Sequence, residues 1–138
     1  MLTGFDHFII LVNDLESAMQ TYRRLGFDVR AGGEHPAFGS HNALIAFADG
    51  TYIELVAFKD PALAASTRSA WRAGVERLRV GEGFAGFVLA SNDISNDVAR
   101  LKTSLAYNDP QAGARVRLDG QRVPQRAVGT VVFVDVGF

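Results

Sequence analysis

The segment Phe84–Ile94 lies over Phe5–Leu15 without a gap, at an offset of 79 residues. Phe5, Phe8, Asn13 and Asp14 recur as Phe84, Phe87, Asn92 and Asp93. In each copy an apolar run leads into Asn-Asp, and apolar residues then follow at helical spacing. They are Leu15, Ala18, Met19, Tyr22 and Leu25 in the first copy, and Ile94, Val98, Leu101 and Leu105 in the second. The run Phe5 to Val12 is continuous enough for a strand buried on both faces. Asn13-Asp14 offers a side-chain oxygen to the first turn of the helix that follows. Each copy ends on an apolar strand, Tyr52–Phe58 and Val131–Phe138. Strand, helix and three strands therefore occur twice, which constrains the fold more than any single segment. Neither half can bury a full core alone, so the halves are expected to pair in one compact α+β domain.

The expected divisions are a first module over 1–59, a connecting helix within 60–83 and a second module over 84–138. Asp60-Pro61 opens the connecting helix, with proline tolerated at its first position, and Gly81 and Gly83 end it. Phe27 to Arg30 reads as a short strand, and Gly32-Gly33, Pro36 and Gly39 as an irregular loop. Asp49-Gly50 between alternating segments is a hairpin signal. With a two-residue turn Ile45 faces Glu54 and His41 faces Phe58, so His41 and Glu54 share a face and Asn42 takes the other. A bulge would reverse that assignment.

Several function classes fall away on composition. The net charge of −1 gives no electrostatic footprint for nucleic acid or an anionic membrane. With no cysteine there is no disulfide, thiolate metal site or cysteine nucleophile. No apolar run approaches the ~20 residues that span a bilayer. The opening residues read as a first strand and not as a signal peptide, so a cytoplasmic location is the default expectation. Phosphate loops, dinucleotide fingerprints and nucleophile elbows are absent.

Asp6-His7 in the first strand, Asn13-Asp14-Leu15 after it and Glu54 in the fourth strand of a duplicated βαβββ unit resemble the vicinal oxygen chelate superfamily, which contains glyoxalase I, extradiol dioxygenases and bleomycin-resistance proteins. His35-Pro36, Gly39 to Leu44 and Asp49 to Leu55 are similar to the glyoxalase-like domain family, as are Arg115 to Arg117 with Leu118-Asp119-Gly120. The resemblance implies a mixed sheet curled around a ligand cavity with helices outside, often in a homodimer. It implies a small oxygenated metabolite as ligand and a divalent metal (Fe, Mn, Ni or Zn) serving a lyase, isomerase or dioxygenase. The alternative is a metal-free protein that sequesters a small molecule.

On that resemblance His7 and Glu54 fall on metal-ligand positions, while the equivalent of His7 in the second half is Gly86 and that of Glu54 is Val134. His7, His41 and Glu54 could compose a two-histidine, one-carboxylate set, although His41 stands ~13 Å along its strand from the point opposite Glu54. Glu54 is the candidate catalytic residue, because a carboxylate within an apolar strand needs a partner, water or a raised pKa. His41, Tyr52 and Arg117 are candidate cavity residues. Arg117 opposes Arg122 across Asp119-Gly120, a pairing that a carboxylate-bearing ligand would relieve. His35 reads as solvated loop.

Overall fold

The computed structural model describes residues 1–67, 69–102, 113–116, 122–125 and 130–132. Strand β1 (Leu2–Leu11) feeds helix α1 (Leu15–Arg24) through Asp14, whose carboxylate accepts from the Ser17 amide at 2.6 Å. The helix ends at Gly26, where φ is +96°, a conformation glycine adopts without steric cost. Strands β2 (Val29–His35), β3 (Ser40–Ala46) and β4 (Tyr52–Phe58) complete the first βαβββ unit. The connection is helical over α2 (Pro61–Thr67) and α3 (Ser69–Leu78), with the Asp60 carboxylate accepting from the Leu63 amide. Strand β5 (Gly83–Ser91), helix α4 (Ile94–Lys102) and strands β6 (Gly113–Val116), β7 (Arg122–Gln125) and β8 (Thr130–Val132) repeat the order.

The eight described strands join one mixed sheet in the order β7-β6-β2-β3-β4-β1-β5-β8. At its centre β1 runs parallel to β4 and antiparallel to β5. Phe8 pairs with Phe87, its own counterpart in the repeat, while His7 pairs with Val88 and Ile9 with Gly86. Those pairs exchange under the 79-residue offset, so a local two-fold axis passes between Phe8 and Phe87. The duplication is thus built into the central strand pair.

Two apolar layers cover opposite faces of the first half. Ala43, Ile45, Leu55 and Ala57 pack against Val12, Leu15, Ala18 and Met19 on the α1 side. On the other, concave face Ile9, Leu11, Val56 and Val88 pack with Phe58 and with Trp71 and Leu78 of α3. This layer forms a floor at one end of the concave face and leaves the row through His7 and Glu54 beyond it.

Two local expectations are corrected. The β3–β4 loop has three residues, not two. The Phe47 amide donates to Thr51 O and the Gly50 amide to Phe47 O, with Gly50 at φ +89°; this is a type I turn closed by a glycine bulge. Leu44 therefore pairs with Glu54 and His41 with Ala57. His41 lies on the face opposite Glu54, and Asn42 lies on Glu54's face. Secondly, β2 continues through Gly32 and Gly33 to His35 as strand, with a register shift between Ala31 and Gly33. His35 is buried at 7% exposure beside Ser40 and is not a solvated loop residue.

Candidate functional site

The concave face carries a hydrogen-bonded array drawn from three strands. His7 and Glu54 are brought together by the parallel β1–β4 pairing, which sets His7 beside Tyr52 and Ile9 beside Glu54. His7 Nε2 lies 3.3 Å from Glu54 Oε2, and the two side chains are 9% and 12% exposed. The other ring nitrogen, Nδ1, meets Asp6 Oδ2 at 2.6 Å. Consecutive strand residues normally point to opposite faces; here a register shift between Phe5 and His7 lets Asp6 reach its neighbour. Asn42 Nδ2 donates to Glu54 Oε1 at 2.5 Å, and its own Oδ1 accepts from the Gly33 amide at 3.0 Å. The Tyr52 ring stacks on His7 with centroids 4.2 Å apart and planes 16° from parallel.

The electrostatics follow from this arrangement. Burial disfavours the charged form of His7, but hydrogen bonds to and charges on Glu54 and Asp6 outweigh it and raise its pKa. Burial also works against ionised Glu54, yet hydrogen bonds from His7 and Asn42, with the charges of His7 and His35, hold its carboxyl below the usual range. The pair therefore favours imidazolium and carboxylate more than either group would alone. Such a pair can donate to a ligand oxygen and anchor a ligand hydroxyl. As a general base Glu54 is weakened by the same bonds.

Of the sequence-predicted residues, His7, Glu54 and Tyr52 come together. His41 does not join them: it is half-buried on the α1-packed face, where burial and then the charge of Lys59 lower its pKa. Arg117 lies outside the described residues, as do the expected Asp119-Gly120 turn, Val134 and the rest of 133–138. Asn42 was placed on the wrong face by the two-residue turn, and Asp6 was not singled out as a partner of His7. The adjacent Asp-His and the paired glycines were the signals available for both. A separate cavity of about 350 Å³ lies at the end of the strands, lined by Val12, Asn13, Phe58, Val75, Leu78 and Arg79 among others. It includes none of the array. The array is the better candidate because titratable groups converge there, whereas among the described residues the only titratable one lining the cavity is the exposed Arg79.

A duplicated βαβββ chain, curled into one sheet with a polar array on the concave face, is a member of the vicinal oxygen chelate superfamily. The chain belongs to the glyoxalase-like domain family, whose model matches residues 5–131. No curated protein matches the sequence. Among solved structures, a hypothetical protein from Staphylococcus aureus is 20% identical with a TM-score of 0.70 over 87% of this chain and 49% of its own. The chain thus spans about half of that protein. A Streptomyces coelicolor methylmalonyl-CoA epimerase variant in complex with 2-nitronate-propionyl-CoA is 23% identical, with a TM-score of 0.63 over 83% of this chain and 85% of its own. Methylmalonyl-CoA epimerase from Mycobacterium tuberculosis is 24% identical, with a TM-score of 0.56 over 89% and 77%. At these identities the likeness establishes fold alone.

Proposed function

We propose that the chain binds a small oxygenated metabolite on the concave face, with Glu54 as polar anchor and His7 as the group that donates a proton to, or shares one with, a ligand oxygen. The carrying observation is the Asp6–His7–Glu54–Asn42 array, in which each polar side chain is held by a neighbour. Tyr52 stacked on the imidazole adds an apolar wall against which a planar ligand could lie.

A divalent metal is the second reading, favoured by one feature. Asp6 on Nδ1 leaves Nε2 turned toward a second carboxylate, the outer-shell pattern of metal-binding histidines. The donor set does not fit a complete centre, however. His7 and Glu54 supply two donors, and the position equivalent to His7 in the second half is Gly86. Among the described residues no three His, Asp or Glu side chains are arranged to hold an ion.

The test follows the His7 ring nitrogens by NMR while chelator-treated protein is titrated with probes. Propionyl-CoA is the first probe, because an epimerase of this fold was solved with a propionyl-CoA analogue; pyruvate and catechol represent 2-oxo acids and vicinal diols. One class should shift the His7 resonances, with affinity at least about tenfold weaker in Glu54→Gln. No response at His7 from any of them would overturn the reading. Calorimetry with Zn²⁺ and Mn²⁺ on the same protein, beside His7→Ala, decides the metal: binding lost in the variant would restore the second reading.

A further inference from the structure

Gly32 has no room for a side chain. A Cβ built there would lie 2.2 Å from Asn42 Oδ1 and 3.0 Å from Asn42 Cγ, so the Asn42 amide occupies the space a residue at 32 would need. Gly32 is also the residue skipped by the β2–β3 pairing, which passes from Ala31↔Ala43 to Gly33↔Asn42. The next amide, Gly33 N–H, donates to Asn42 Oδ1 at 3.0 Å. A backbone N–H only donates, so this contact fixes the amide's orientation with its oxygen on Gly33 and its nitrogen on Glu54. Asn42 is 4% exposed, which leaves its NH₂ group no solvent to turn to.

We propose that Gly32, Gly33 and Asn42 form a positioning device for Glu54, in which the two glycines seat the Asn42 amide and the amide fixes which carboxylate oxygen faces His7. Asn42 is a positioning residue, and Gly32 acts one step further from the site, through Asn42. Of the two carboxylate oxygens, Oε1 is tied to Asn42 and Oε2 is left to His7 and to a ligand. Without the amide no other described residue of β3 donates to Oε1, and His7 alone holds a carboxylate whose terminal torsion is broad for glutamate. The inference rests on reading Glu54 as the working carboxylate of the concave site, but its geometry can be measured with no ligand present.

The experiment uses the free protein labelled with ¹⁵N. There are three histidines, and the His7 ring resonances are identified by their loss in His7→Gln. Asn42→Leu removes both hydrogen bonds at similar volume and no change of charge; Gly32→Ala pushes on the amide without touching Glu54. Each should move the His7 Nε2 resonance in the same direction, and Gly32→Ala should add nothing in the Asn42→Leu background. A purely structural role would lower the thermal midpoint and leave the His7 resonance in place in the folded variants, which would overturn the proposal. If Gly32→Ala does not fold, Asn42→Leu decides by the same criterion. A His7 shift in these variants alongside a failed probe screen would sustain the positioning device and overturn the ligand reading, so the two failures are distinguishable.

Discussion

Replacing Glu54 by glutamine should remove most of the protein's loss of stability at alkaline pH. In the native chain two carboxylates face the two nitrogens of one imidazole, Asp6 at 2.6 Å and Glu54 at 3.3 Å. Only the doubly protonated ring donates to both. The raised pKa of His7 means that its contribution is in full force below the ordinary value of 6.5 and is lost as pH climbs through the folded value. The lowered pKa of Glu54 means that its contribution is in full force above 4.5 and is lost as pH falls through the folded value. Both contributions are therefore complete between pH 4.5 and pH 6.5. Above that window the neutral ring keeps one N–H for two carboxylates, so one charge-assisted bond goes, about 1.5–3 kcal/mol.

In Glu54→Gln the amide oxygen still accepts from Asn42, which turns the new NH₂ group toward His7. That group can donate to a bare Nε2 while Nδ1–H donates to Asp6, so the neutral ring is fully paired. Urea unfolding followed by circular dichroism should show the variant about 1.5–3 kcal/mol less stable than wild type near pH 5.5, with the difference closing as pH rises through the folded value of His7. The corresponding difference in midpoint is on the order of 1 M urea. His41 is present in both proteins and cancels in the comparison, whereas the charge of His35 also bears on Glu54, so the pair of proteins is compared in a His35→Gln background as well. An equal alkaline loss in wild type and variant would refute the bridging role of the imidazolium.

Two further perturbations test the scaffold that holds the array. Leu55 is fully buried between β4 and α1, one residue from Glu54 and on the opposite face; Leu55→Ala should cost about 2–5 kcal/mol by urea unfolding, and a cost below about 1 kcal/mol would mean that this layer is not close-packed. Asp14→Ala should cost about 1 kcal/mol and speed hydrogen exchange at the Ser17 amide, its partner at 2.6 Å; unchanged exchange there would remove Asp14 as the cap.

What was legible in the chain differs between scaffold and site for physical reasons. The repeat was readable because it is carried by packing residues. Phe8 and Phe87 face each other across the local two-fold axis, and the Asn-Asp pairs open both helices in sequence and in structure: Asp14 caps α1 through Ser17, and Asp93 accepts from the Asn96 amide at the start of α4. The site was half readable. His7 and Glu54 came from the family resemblance, which puts ligands in the first and fourth strands, and Glu54 also from being a carboxylate in an apolar strand; the face of every β3 residue hung on one loop residue. Asp49-Gly50 is compatible with either loop length, and Gly50 closing a three-residue loop turned Asn42 inward and His41 outward. The bulge that brings Asp6 onto His7 leaves no trace in an alternation pattern. Gly32-Gly33 read as loop because glycine weakens strands in general, whereas here the missing side chain is what admits the Asn42 amide. The second half sharpens the contrast. Gly86 stands at the position of His7 with its backbone pairing intact, so the duplicated frame persists where the imidazole does not. Sheet pairing needs only a backbone at that position, but a proton-sharing site needs an imidazole. A repeat can therefore hold its register while equivalent positions, His7 and Gly86, diverge in chemistry.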